Sequence, residues 1–381
     1  MLRNRGEALK ISFSAFFADL GHQAAVVMFP LIFVTVLGAP YWLYGVAEAI
    51  NYGVGSLMAF LGGVLGDRYG RWRVAVIGNA LIVFVSFLGF SRYWWQAMLT
   101  FTVGWFFRNL RTPPRRAMMA EVTDPSERSE AFGVLHALDI GGATLAIAYT
   151  ALLLYLKFPV EYLLLITVIP LVVSTLVLAS VKAGRAVGPG KARGPRAGLG
   201  RGLMAVVVST LFFGFTQYSF GFPVLTTAEL THKDYLAVLS YGVFLAASSA
   251  FGYVFGRSGL REVKGLAYYG YLLGAFAALG FALLSPLGII GIYPASFLLG
   301  IAVGATETFE PTIVSRLVPE EAMGTSMGLL TLGRSLGVFV ANAVMGLLYQ
   351  LGYSYAYYYA AASSFVAFLI IELYLARRLS S

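Results

Sequence analysis

The sequence contains no cysteine and very little charge: Asp, Glu, Lys and Arg make up 12% of its 381 residues. A soluble globular domain carries roughly twice that share, about 25%. The first absence excludes disulfides and thiolate metal centres. The second, with 59% hydrophobic residues and a mean hydropathy of +0.77, excludes a water-soluble fold. Also missing are a G-x-x-x-x-G-K-[ST] loop, an H-E-x-x-H zinc motif and a G-x-S-x-G nucleophile turn. Neither a primary pump nor an intramembrane enzyme is therefore expected, and no cofactor is called for. The net charge of +9 does not point to nucleic acid, because the bases sit in short loops and no soluble basic domain carries them.

What the chain does have is apolar length. Counting runs of about 20 residues gives twelve, predicting an all-α membrane protein with twelve transmembrane helices. The first run, from about residue 11 to 37, is too long for a signal-peptide core and lacks a cleavage site, so it is expected to remain as the first helix. Lys and Arg alternate between loops. Arg3, Arg5 and Lys10 precede the first run, and Arg68, Arg71 and Arg73 follow the second. Arg115, Arg116 and Arg128 flank the turn after the fourth, and Arg377 and Arg378 close the chain. The intervening loops hold only Arg92, Lys157 and Lys233. By the positive-inside rule both termini are cytoplasmic in a multi-pass protein of the cell membrane, with lipid as its surroundings.

The longest polar segment, residues 182–201, is rich in Gly, Pro and basic residues and reads as a flexible linker drawn to anionic headgroups. It separates residues 1–181 from residues 202–381, and the two halves repeat. Thr112-Pro113 through Asp139-Ile140-Gly141 resembles Glu310-Pro311 through Arg334-Ser335-Leu336-Gly337, and Phe29-Pro30 has a counterpart in Phe222-Pro223. Two pseudo-symmetric six-helix bundles follow, with a solute site expected near the midplane.

Between the second and third runs lies Gly62-Gly63-Val64-Leu65-Gly66-Asp67-Arg68-Tyr69-Gly70-Arg71-Trp72-Arg73. It resembles the signature loop between helices 2 and 3 of the major facilitator superfamily. Gly63, Asp67, Arg68, Gly70 and Arg71 match that pattern; Trp72 stands where the family carries a base. The resemblance implies that fold, a transport function without catalysis, and a gating role in which Asp67 holds the loop against the other half. It also implies that helices 1, 4, 7 and 10 line a central cavity. The segment around Arg111-Thr112-Pro113-Pro114-Arg115-Arg116, with Asp19 in the first helix, is similar to a prokaryotic branch of the superfamily.

Ionisable residues inside spans are costly and mark pathways or paired contacts. They comprise Asp19 and His22 in helix 1, Glu48 in helix 2, Arg108 and Arg111 in helix 4, and His136 and Asp139 in helix 5. Helix 10 adds Glu307 and Glu310, and helix 11 adds Arg334. Arg108, Arg111 and Arg115 continue along one face. The repeat predicts two ion pairs, Asp139 with Arg108 or Arg111, and Arg334 with Glu307 or Glu310. Five carboxylates against three guanidinium groups leave about two acids without a cation. Asp19, or failing it Glu307 or Glu310, is expected to carry a coupling proton. His22, Gln23, Arg108, Arg111, Gln217 and Tyr218, the last two in helix 7, are expected to contact the solute. Asp19, His22 and Gln23 supply too few ligands on one helix for a metal. The function expected is secondary active transport of a small organic solute by a monomer, proton-coupled, as symport or antiport. The rivals are a proton/drug antiporter and a non-transporting receptor on the same fold.

Overall fold

The structure, a computed structural model, describes residues 4–124, 128–184, 214–258, 260–317 and 323–375. The expected linker from residue 185 onward lies outside them. Among the described residues there is no β-strand, and the helices in chain order are α1 (Arg5–Val36), α2 (Tyr41–Tyr69), α3 (Arg71–Phe90), α4 (Trp94–Val122), α5 (Ala131–Tyr155) and α6 (Val160–Ala179). They continue as α7 (Gly221–Thr231), α8 (Asp234–Arg257), α9 (Glu262–Leu287), α10 (Ile289–Leu317), α11 (Met323–Leu351) and α12 (Tyr353–Ile370). Ten described helices are long and apolar enough to cross a membrane. The other two are α4, with four arginines in its second half, and α7, described over 11 residues.

The residues fall into two compact units, one comprising Met1–Gly38 with Val54–Gly194, the other Ala39–Gly53 with Pro195–Ser381. In the first unit α1 packs along α5 and α6, while α4 packs against α3 and the second half of α2. In the second unit α8 lies along α10, α9 packs between α10 and α12, and the first half of α2 lies on α11. That last contact depends on glycine. A Cβ on Gly45 would stand 2.5 Å from the Asn342 carbonyl and 2.6 Å from the Cα of Gly346, so the two backbones touch.

Helix α4 shows how composition misleads about length. Pro113 and Pro114 look like a terminus, yet the helix runs through both to Val122. Pro114 has no N–H, which frees the carbonyl of Leu110 one turn earlier. That carbonyl faces Gly62 of α2, where a Cβ would fall 1.9 Å from its oxygen. The residue missing a donor and the residue missing a side chain are thus complementary. The turn between α2 and α3 is made by Gly70 at φ 100°, which a side chain would strain.

Candidate functional site

The first unit gathers its buried charges where α1, α3, α4 and α5 meet. Arg108, Arg111 and Arg115 share one face of α4 through spacings of three, four and seven. Arg111 is 1% exposed and Arg115 4%. Gly78 lets α3 close on Arg111, since a Cβ there would stand 2.9 Å from the Arg111 Cβ. The next residue, Asn79, accepts a hydrogen bond from Arg111 Nη1. Asn79 Nδ2 in turn donates to Ser174 Oγ at 3.0 Å and Thr175 Oγ1 at 2.8 Å, so a neutral scaffold from α6 fixes its orientation. On α1, His22 Nδ1 lies 3.1 Å from Asp19 Oδ1, and both residues are buried. Arg108 lies over the Trp105 ring, 4.9 Å from its centre, a cation–π arrangement. The His22 ring is 6.2 Å from the same indole.

The expected pairing of Asp139 changes partner. Its carboxylate meets Arg115 Nη2 at 3.4 Å, not Arg108 or Arg111. The reason lies along α4: Arg108 is held by Trp105 and Arg111 by Asn79, leaving the next guanidinium on that face to reach α5. Arg108 and Arg111 act on Asp139 and Asp19 through space. Arg115, read from sequence both on the arginine face of helix 4 and beside the turn after it, is a buried member of the cluster. The helix continues past two prolines, which keeps Arg115 in register with Arg108 at i, i+7. Gln23 is half-buried and engaged within the fold. His136 is exposed. Among the described residues no group of three or more His, Cys, Asp and Glu is placed to hold a metal.

In the second unit Arg334 of α11 reaches both acids of α10. Its Nη2 bonds Glu307, and its Nη1 lies 3.4 Å from Glu310 Oε2. Glu310 is 2% exposed and accepts a 2.6 Å bond from the Tyr271 hydroxyl; the Glu307 side chain is 56% exposed. Arg334 also donates through Nε and Nη2 to Gln217 Oε1, at 3.0 and 2.8 Å. Gln217 and Tyr218 are not helical as expected: residues 217–219 are irregular backbone ahead of α7. Ser219 N–H donates to Asn342 Oδ1 at 2.8 Å, and Gly221 N–H to Ser219 Oγ at 3.1 Å. These side chains satisfy backbone donors in the irregular segment ahead of α7. Tyr218 is half-buried, and its hydroxyl has no hydrogen-bond partner among the described residues.

Glu48 lies beside this break, 4% exposed, with Asn51 Nδ2 at 3.3 Å and a hydrogen bond to Ser219. Among the described residues it has no cationic partner. Ser219 and Asn342 went unnoticed in the sequence because a lone Ser or Asn in an apolar run carries no pattern. In the loop after α2, Asp67 and Arg71 form an exposed pair at 3.2 Å and Arg68 lies over the Tyr69 ring. Gly63 has room around it, the nearest atom to an added Cβ being Pro113 Cβ at 3.9 Å.

Comparison with known proteins places these sites in context. A profile described as Major Facilitator Superfamily matches residues 11–342. An uncharacterised MFS-type transporter of Methanocaldococcus jannaschii is 22% identical over 377 residues, covering 95% of this chain and 93% of the relative. The multidrug resistance protein MdtH of Aeromonas hydrophila is 26% identical over 333 residues, covering 84% and 81%. Among solved structures, the nucleoside transporter NupG superposes with a TM-score of 0.78 at 12% identity, covering 96% of this chain and 99% of that one. A D-xylose-proton symporter gives 0.74 at 13% identity, with 96% of each chain covered.

Proposed function

Since the chain belongs to the major facilitator superfamily, a family of membrane transporters rather than enzymes, we propose that it is a secondary active transporter. It moves a small organic solute across the cell membrane by alternating access, coupled to protons, as a monomer with both termini in the cytoplasm. One observation carries this reading: ionisable residues buried within the spans are joined across helices in both units, as Asp139 with Arg115 and Glu310 with Arg334. Buried charges of this kind are expensive to keep in a membrane and mark a working pathway. His22, Gln23, Arg108, Arg111, Gln217 and Tyr218 are assigned to the solute. Gln217 does so through Arg334, which it already binds.

Asp19 is assigned the coupling proton, with Glu307 and Glu310 as the alternative carriers. It is a buried carboxylate whose contact is a titratable imidazole rather than a fixed guanidinium. The Gly63, Asp67, Arg68, Gly70 and Arg71 loop is assigned to gating, with Asp139 and Arg334 as ion-pair anchors. A second reading, a proton/drug antiporter, draws on the likeness to MdtH and on Glu48, a buried acid without a cationic partner among the described residues.

The test is solute flux in proteoliposomes under an imposed pH gradient. Saturable flux without single-channel currents, driven by the gradient in the native protein and independent of it in Asp19→Asn, is the expected result. Asp19→Asn flux that still follows the gradient in full would move the proton to Glu307 or Glu310.

A further inference from the structure

The buried charges of the first unit do not balance. Among the described residues of its buried cluster, Arg108, Arg111 and Arg115 stand against Asp19 and Asp139. With His22 neutral, the cluster carries one positive charge in excess. Its hydrogen bonds are incomplete on both signs, with the guanidinium donors in the majority. Among the described residues Arg108 Nε, Arg111 Nε, and Arg115 Nε and Nη1 are buried without a hydrogen bond, against Asp19 Oδ1 and Asp139 Oδ1 on the carboxylates and both ring nitrogens of His22. Arg111 and Arg115 are more than nine-tenths buried. Among the described residues the acceptor at Arg111 is Asn79 Oδ1, which is uncharged. Buried donors left unpaired are rare and costly, and a guanidinium meets a planar oxyanion through two parallel N–H groups.

We infer that this cluster binds the carboxylate of an organic monoanion. The inference rests on the transport reading only in taking Arg108, Arg111 and His22 as solute contacts. One surplus charge fits a monoanion better than a doubly charged phosphate. Buried aromatic side chains adjoin the guanidinium groups. Trp105, beneath Arg108, stacks on Phe101 at 5.8 Å, and Phe101 stacks on Phe29 at 4.1 Å. An anion seated on the guanidinium groups would have this aromatic column beside it, whereas a bare inorganic anion would make no use of it.

The experiment follows thermal unfolding of the purified full-length protein in detergent. The probes are straight-chain, branched and aromatic monocarboxylates, each paired with its primary amide and its amine, and sodium nitrate. A ligand that binds the native state raises the unfolding temperature by mass action. The expected result is a saturable rise for at least one acid that exceeds the rise for its amide and its amine. Half-saturation should then require about ten times more acid, or beyond, in Arg111→Gln, the loss of a charge-assisted bond. Arg108→Gln should act in the same direction, and it carries the test if Arg111→Gln does not fold. The inference is overturned if no acid exceeds its amide, or if the rise is the same in both variants as in the native protein. Nitrate matching the best acid at equal concentration would overturn the organic part of the assignment. Counterflow in proteoliposomes separates the two readings. An acid that binds without being carried removes transport and keeps the anion site. Flux of an amine or amide with no acid binding removes the anion site and keeps the transporter.

Discussion

Arg115 is the residue on which the first unit's charge arrangement turns. Its side chain is 5% exposed and, among the described residues, its carboxylate partner is Asp139. Asp139→Asn therefore strands a buried guanidinium, at a cost of about 3–5 kcal/mol, and should lower the unfolding temperature. Adding Arg115→Gln removes the stranded charge, so the double variant should recover most of the loss; calorimetry of the four proteins of the cycle checks this. Independent costs that simply add would show that the two side chains are not coupled. Much of this residue-level picture was legible beforehand. Glu307, Glu310 and Arg334 could be matched through the internal repeat, and the common face of the three α4 arginines follows from helical periodicity. The partner of Asp139 was not legible. It depends on Asn79 and Trp105 holding the other two arginines, and neither belongs to a charge pattern.

At the scale of the helix, the loop motif directs attention to Gly63, whereas packing singles out its neighbour. An alanine at Gly62 would collide with the Leu110 carbonyl that Pro114 releases, while Gly63 has space for one. Gly62→Ala should destabilise the first unit by about 1–3 kcal/mol, and Gly63→Ala should unfold at the native temperature. Thermal unfolding of the two variants checks the contrast, and equal losses would refute it. If Gly63→Ala folds normally but transports poorly, its role lies in movement of the loop. Helix identity was readable from apolar run length, but helix continuity was not. Two prolines failed to end α4 because a glycine on α2 accommodates the freed carbonyl. Conversely, an apolar run read as the seventh helix is not helical at 217–219, where Asn342 and Ser219 side chains accept backbone N–H bonds.

Across the whole chain, the two units differ in the sign of their buried imbalance. The first has three arginines to two aspartates. In the second, Glu307 and Glu310 share Arg334, and Glu48 has no cationic partner among the described residues. The repeat preserved the positions of ionisable groups while letting their signs diverge, which is why aligning the halves located the sites without giving their balance. The excess positive charge of the first unit has an electrical consequence. While Asp19 stays ionised, taking up a monoanion makes the cluster neutral, and returning unloaded leaves it charged. A full charge crossing the membrane field couples to it by about 2.3 kcal/mol per 100 mV. Voltage should therefore alter the rate of the empty return and leave exchange of anion for anion nearly unaffected. Flux under potassium-diffusion potentials, measured in net-uptake and exchange modes, would register that difference.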